Sequence, residues 1–342
     1  MRKVKKWLAL LVATMLALQP LAFPVSAAPA DDVAPPEAWG PVPTETQLQY
    51  HEEELSAFIH FGVNTFTGVE WGNGRENPNV FHPTGLDTDQ WVKALKDAGF
   101  ERIIMIGRHH DGFCLWNSDY TTQDVASSTD FQATQAARGQ SGDVLEELSK
   151  SCTKYDMDMG FYLSPWDANN PTYGYGSGTD EETDSNGDYN EYYMNQLREV
   201  LGNPKYGNNG KFVEVWMDGA KGSGAAAQHY KFQEWFDLIE ELQPGAVVFS
   251  PYGSTIRWIG NESGKAGDPC WSKLDQQRQR NYYDTYGGDE AAYLNSGDPN
   301  GDIWSIGECD VSLTSGWFWK SGKQPKSMEE LTDIYFKSVG RG

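Results

Sequence analysis

The sequence predicts an α/β fold, a (β/α)8 TIM-like barrel that stops short of its last strand. Short apolar, β-prone runs alternate with amphipathic helical stretches along most of the chain, the rhythm of a parallel sheet wrapped by helices. Polar and aromatic residues gather directly after those runs, where barrel enzymes carry their chemistry. One run, residues 213–218, breaks off at Asp218 and Gly219 after Val215, Trp216 and Met217, as is needed to hold an acid on a rigid strand end. Alternation places Trp216 and Asp218 on one face of that strand. The competing reading is a strand-end Asp that only caps the next helix.

Residues 28–43 are rich in Pro and Ala without periodicity and read as a linker. The first strand is expected at 57–63, and its helix at 89–98, capped by Asp87 or Thr88. A second strand at 102–106 precedes a helix at 143–155, and a third at 159–163 precedes, after a long insertion, a helix at 189–201. The fourth strand, 212–217, is followed by a helix at 228–242. Strands at 246–250, 256–259 and 302–306 and a helix at 327–339 complete the pattern. The count reaches seven at Gly342, so residues 44–342 are expected to form a catalytic barrel that is incomplete at its C-terminus, with two unpaired sheet edges. In the insertion, Asp184, Asn186 and Asp188 have the spacing of a calcium loop, but Gly187 falls one step early and no closing Glu follows.

At the other end, Arg2, Lys3, Lys5 and Lys6 precede an apolar run and then Val25, Ser26 and Ala27, the pattern of a secretory signal peptide cleaved near Ala27. The protein is therefore expected to be secreted and free of the membrane after cleavage. Losing those four basic residues takes the formal charge from −22 to −26, which argues against nucleic acid as a partner and favours a neutral substrate. Thirteen Trp, 17 Tyr and 15 Phe exceed what one core requires, so some can serve as platforms for sugar rings. The four cysteines, Cys114, Cys152, Cys270 and Cys309, show no zinc-type spacing, and nothing in the sequence selects a disulfide pair.

The expected rim collects His60, then Glu70 and Trp71, then Arg108, His109, His110 and Asp111, then Tyr162, Trp166 and Asp167, then Trp216 and Asp218, and finally Arg257, Trp258, Asn261 and Glu262. Three histidines beside carboxylates raise a metal site. His109 and His110 are adjacent, however, and would diverge on a regular strand, so no metal and no cofactor is assigned. Two rim carboxylates suffice for glycoside hydrolysis. Asp218, on a strand end, suits the nucleophile. Glu262, flanked by Trp258 and Ile259, suits the acid/base, since partial desolvation raises a carboxyl pKa. Glu214 lies deeper on the strand and reads as a paired charge on the barrel floor. Asp111 and Asp167 read as groups that orient their neighbours. Asn261, Glu262 and Ser263 also form a glycosylation sequon, discounted because a glycan there would block the rim.

Residues 58–64 (Phe-Ile-His-Phe-Gly-Val-Asn), Glu70 and Trp71, residues 109–116, residues 164–167 and residues 215–219 together resemble the α-L-fucosidases of glycoside hydrolase family 29, from about Thr44 to the end. The resemblance implies a retaining exo-fucosidase acting on fucosylated oligosaccharides or glycoconjugates. It implies Asp218 as nucleophile, with His60, Glu70, Trp71, His109, His110, Tyr162 and Trp216 around the sugar; Arg257 is added to that set. The setting of Glu262 is similar to the acid/base site of the branch that prefers α-1,3 and α-1,4 linkages. Arg108 and Met217 depart from the commoner Lys and aromatic residue, and relatives continue beyond residues 338–342 into a last strand. Two other readings stay open: a non-hydrolytic fucose-binding barrel, and a metal-dependent hydrolase on the same scaffold.

Overall fold

The computed structural model describes residues 36–174, 188–220, 228–253, 255–285 and 288–342. The signal-peptide reading, the first half of the linker (28–35) and the calcium-loop spacing at 184–187 lie outside the described residues. Seven strands, β1 (Ser56–Ile59), β2 (Arg102–Arg108), β3 (Asp158–Leu163), β4 (Glu214–Trp216), β5 (Val247–Phe249), β6 (Ile256–Trp258) and β7 (Ile306–Glu308), lie side by side in chain order. Every neighbouring pair is parallel. This is the parallel sheet of a (β/α)8 barrel with seven strands among the described residues, and β1 and β7 are its two edges.

Between the strands run α2 (Thr88–Asp97), α3 (Val144–Tyr155), α4 (Asp188–Leu201) and α5 (Phe232–Leu242), with α6 (Met328–Lys337) after β7. Their starts are set by short acceptors. The side chain of Asp87 takes the Gln90 N–H, Asp143 that of Glu146, and Ser327 that of Glu330. The sequence reading passed over a preceding helix, α1 (Glu45–Glu53), which opens with a Thr44/Gln47 capping box. Its Gln47 donates to the carbonyls of Thr255 and Trp304, and its Tyr50 reaches the interior carboxylate of Glu308.

Alternation divides the core in two. Ile103, Met105, Met159, Phe161, Val215 and Val248 face outward and pack with the helices. Ile104, Ile106, Tyr162, Trp216, Val247, Phe249 and Ile256 face inward and fill the barrel. Each fully buried apolar side chain of this size contributes on the order of 2 kcal/mol, so this division fixes which residues reach the mouth.

One strand assignment needs correcting. Residues 302–306 do not form the seventh barrel strand, because Ile303–Trp304 pairs antiparallel with Lys273–Leu274 in a separate ribbon. The seventh strand is Ile306–Glu308, in register with Ile256–Trp258.

Candidate active site

Asp218 stands two residues beyond the end of β4, on the inward face shared with Trp216. Two donors fix its carboxylate: the Tyr162 hydroxyl at 2.9 Å to Oδ2 and the Ala220 N–H at 2.7 Å to Oδ1. The carboxylate keeps 26 % of its side-chain surface open, so it remains reachable.

The end of β2 is where the histidines gather. A register irregularity between Ile106 and Arg108 breaks the alternation, and Gly107 makes it possible, because a Cβ there would stand 2.2 Å from the Phe161 ring. Arg108 consequently turns away from the pocket to Asp167, the Ser164 carbonyl and the Tyr189 hydroxyl. His109 and His110 do not diverge as a regular strand requires, and their ring centroids lie 4.1 Å apart. His109 stacks on Tyr162, while His110 meets Trp71 and Trp166.

Burial keeps all three imidazoles neutral. It lowers His60 and His109 well below the usual imidazole range, and it lowers His110 to about 3, helped by the Arg108 charge. The Ser164 hydroxyl donates to the Trp166 carbonyl, so the 2.7 Å contact between Ser164 Oγ and His110 Nδ1 has the imidazole as donor. His110 Nε2 is then a bare acceptor 3.8 Å from Asp218, with no ion pair between them. His109 Nδ1 is buried without a hydrogen-bond partner among the described residues. Neutral imidazoles of this kind bind hydroxyls. Among the described residues no three His, Cys, Asp or Glu side chains are grouped so as to hold a metal ion.

Glu262 lies on the loop beyond β6, where a bridge between Ser263 and Val311 ties the loop to the segment that follows β7. Its carboxylate accepts the Trp317 indole N–H at 3.3 Å. Burial raises its pKa, the Trp317 bond lowers it, and the charges of Asp218 and Glu70 raise it further. A chain of contacts links the two acids. Asp218 touches Tyr162, Tyr162 lies 6.5 Å from the His60 ring, His60 stacks on Trp317 at 4.9 Å, and Trp317 holds Glu262.

A model of the alpha-L-fucosidase family matches residues 37–258. The chain belongs to the alpha-L-fucosidase family. Alpha-L-fucosidase 1 of Arabidopsis thaliana is 44% identical over 301 residues, covering 88% of this chain and 54% of the plant protein. The putative alpha-L-fucosidase 1 of Oryza sativa subsp. japonica is 43% identical over 316 residues, covering 92% and 55%. The crystal structure of SpGH29 matches with TM-score 0.80 and 48% identity over 90% of this chain and 64% of that one. A Ruminococcus gnavus GH29 fucosidase in complex with fucose matches with TM-score 0.77 and 43% identity over 90% and 63%. The chain thus spans about half the length of the curated relatives it matches.

Within this family framework, the structure brings His60, Trp71, His109, His110, Tyr162, Asp218 and Glu262 to one mouth. Trp71 is 54% exposed at its edge. Two other expected site residues also have structural partners. Glu70 spends Oε1 on the N–H groups of Trp317 and Phe318, so it holds the loop that carries those rings. Trp216 is only 7% exposed beneath Tyr162, with its indole N–H bonded to Glu308.

Arg257 is a correction. It lies in β6, not on the rim loop, and alternation turns it out of the barrel. It is fully buried, with its N–H groups on the carbonyls of Leu294, Ser305 and Trp271 and on Cys270. Its guanidinium is therefore spent on these buried acceptors rather than presented on the rim loop. Sequence reasoning missed Trp317 and Phe318, although residues 316–319, Gly-Trp-Phe-Trp, are a dense aromatic signal. Placing the seventh strand too early left them outside the expected rim.

Proposed function

We propose that this chain carries the catalytic barrel of a secreted, retaining α-L-fucosidase that removes terminal α-L-fucosyl residues, α-1,3- or α-1,4-linked, from oligosaccharides or glycoconjugates. The observation that carries the reading is the pairing of two unlike carboxyls around one mouth. Asp218 is fixed by the Tyr162 hydroxyl and a backbone N–H, while Glu262 is partly desolvated and raised in pKa.

In this reading Asp218 attacks the anomeric carbon as Glu262 gives its proton to the departing oxygen. Water then attacks the fucosyl ester, with Glu262 taking the proton back and Asp218 leaving. The neutral imidazoles and the Trp71 and Trp317 faces hold the sugar by hydroxyl contacts and stacking. The match to a relative crystallised with fucose supports the substrate class.

The test is proton NMR of fucose released from an α-1,3/4-fucosylated trisaccharide, with an α-1,2-linked one beside it. The reading expects the α-anomer first, and faster release from the branched substrate. First appearance of the β-anomer would remove the double displacement. Calorimetric binding without release would leave a fucose-binding barrel instead. Activity lost to EDTA and restored by a divalent cation would favour the metal-dependent hydrolase.

A further inference from the structure

Glu308, the last residue of β7, has no part in the reaction just described, yet it sits inside the barrel with only 8% of its surface exposed. Its two oxygens are both engaged. Oε1 accepts the Trp216 indole N–H at 2.6 Å, and Oε2 accepts the Tyr50 hydroxyl at 2.5 Å. The indole lies between two rings, Phe249 at 3.9 Å and 6° and Tyr162 at 5.2 Å and 24°. Stacked rings of this kind resist tilting, but they slide and turn in their own plane at little cost. The directional bond to Glu308 is what fixes the indole within that plane. Tyr162, resting on the other side, donates its hydroxyl to Asp218 Oδ2 at 2.9 Å. One line of contact therefore runs from the last strand to the acid at the end of β4.

We infer that Glu308 is a positioning residue: by locking the Trp216 indole it sets the plane of Tyr162 and, through the Tyr162 hydroxyl, the Oδ2 atom of Asp218. The inference rests on Asp218 being the nucleophile. The two oxygens of Glu308 let it take the indole N–H and the phenol separately, beside the buried carboxyl of Glu214.

The test pairs Glu308→Leu, which keeps the bulk but no acceptor, with Glu308→Gln, which keeps one oxygen for the indole. Glu308→Leu should lower kcat on a fucoside by about 10- to 100-fold, the usual cost of a misplaced reacting group, with KM within about threefold. Glu308→Gln should recover most of that loss. In a Trp216→Phe background, where no indole N–H is left to hold, Glu308→Leu should cost less than about twofold more. Losses that multiply independently in the double variant would overturn the inference, as would an unchanged kcat in a Glu308→Leu protein that folds by near-UV circular dichroism.

If Glu308→Leu does not fold, Trp216→Phe alone carries the prediction and should show the same selective loss of kcat; an unchanged kcat there overturns the inference. A crystal structure gives a readout that survives failure of the fucosidase reading. In Glu308→Leu, or in Trp216→Phe, the Tyr162 hydroxyl should stand beyond about 3.5 Å from Asp218. Retention of that bond would refute the positioning role even in a protein without fucosidase activity.

Discussion

Asp111 offers a stability test that can be worked through from the structure. Its side chain is 2% exposed, accepts N–H bonds from Phe113 at 2.8 Å and from Asn64 at 2.9 Å, and forms no ion pair among the described residues. Burial raises its pKa to about 7, the Phe113 N–H lowers it, and the nearby Glu76 charge raises it. The carboxyl is braced into the Trp71 loop. Gly72, at φ +68°, would place a Cβ 2.6 Å from the Asp111 Cβ, and the Asn64 amide bridges Asp111 to the Glu70 carbonyl. A carboxyl raised in the folded state binds its proton more tightly there than in the unfolded chain. Its contribution to stability is therefore complete below about pH 4 and is lost as the pH climbs through about 7. The interval from 3.8 to about 7, at about 1.4 kcal/mol per pH unit, gives a ceiling of about 4 kcal/mol. Asp111→Asn removes the titration at the cost of the Asn64 contact, about 1 kcal/mol at every pH. The melting temperature of wild type relative to Asp111→Asn should then fall steadily from pH 4 to pH 8, by several degrees at about 2 °C per kcal/mol. The assay is calorimetry of both proteins across that range in one buffer series. A difference that is flat with pH, or that rises, would show that the buried carboxyl does not carry the proton assigned to it.

Other outcomes follow from the same geometry. Glu262→Ala should slow fucosides with poor leaving groups by about 100-fold or more, spare activated aryl fucosides, and erase the alkaline limb of the kcat/KM profile. An unchanged alkaline limb would move the acid/base role elsewhere. Arg257→Met should lower the unfolding free energy by about 3 kcal/mol or more, since several buried acceptors lose their donor, while KM stays within about twofold. A selective rise in KM with unchanged stability would return Arg257 to the sugar. Trp71→Ala, at the exposed edge of the mouth, should raise KM by roughly tenfold through lost stacking and leave the melting temperature nearly unchanged.

Much of this was legible from residue order, and the gaps have physical causes. β2 through β5 fell within a residue or two of expectation, because strands buried on both faces read as continuous apolar runs, such as residues 103–106. β7 did not, because Ile306–Glu308 is short and aims an acid inward, while the apolar signal of Ile303–Trp304 belongs to a ribbon outside the barrel. That displacement hid Glu308, Trp317 and Phe318 together. The inward placement of Asp218 and Tyr162 was legible because alternation holds to the ends of β3 and β4. The shared direction of His109 and His110 was not, because it depends on an irregularity that a pattern of types cannot show. Arg257 misled for a related reason. One strand position separates a rim side chain from a buried anchor, and the start of β6 decides which it is.

The account turns on Asp218 forming a bond to the sugar, and a mechanism-based label tests that directly. Incubation with a 2-deoxy-2-fluoro-fucosyl fluoride, followed by peptide mapping by mass spectrometry, should place one fluorofucosyl group on the peptide carrying Asp218. The label should be absent in Asp218→Asn. Modification of a different carboxylate, or no covalent adduct in a protein that turns over fucosides, would contradict it.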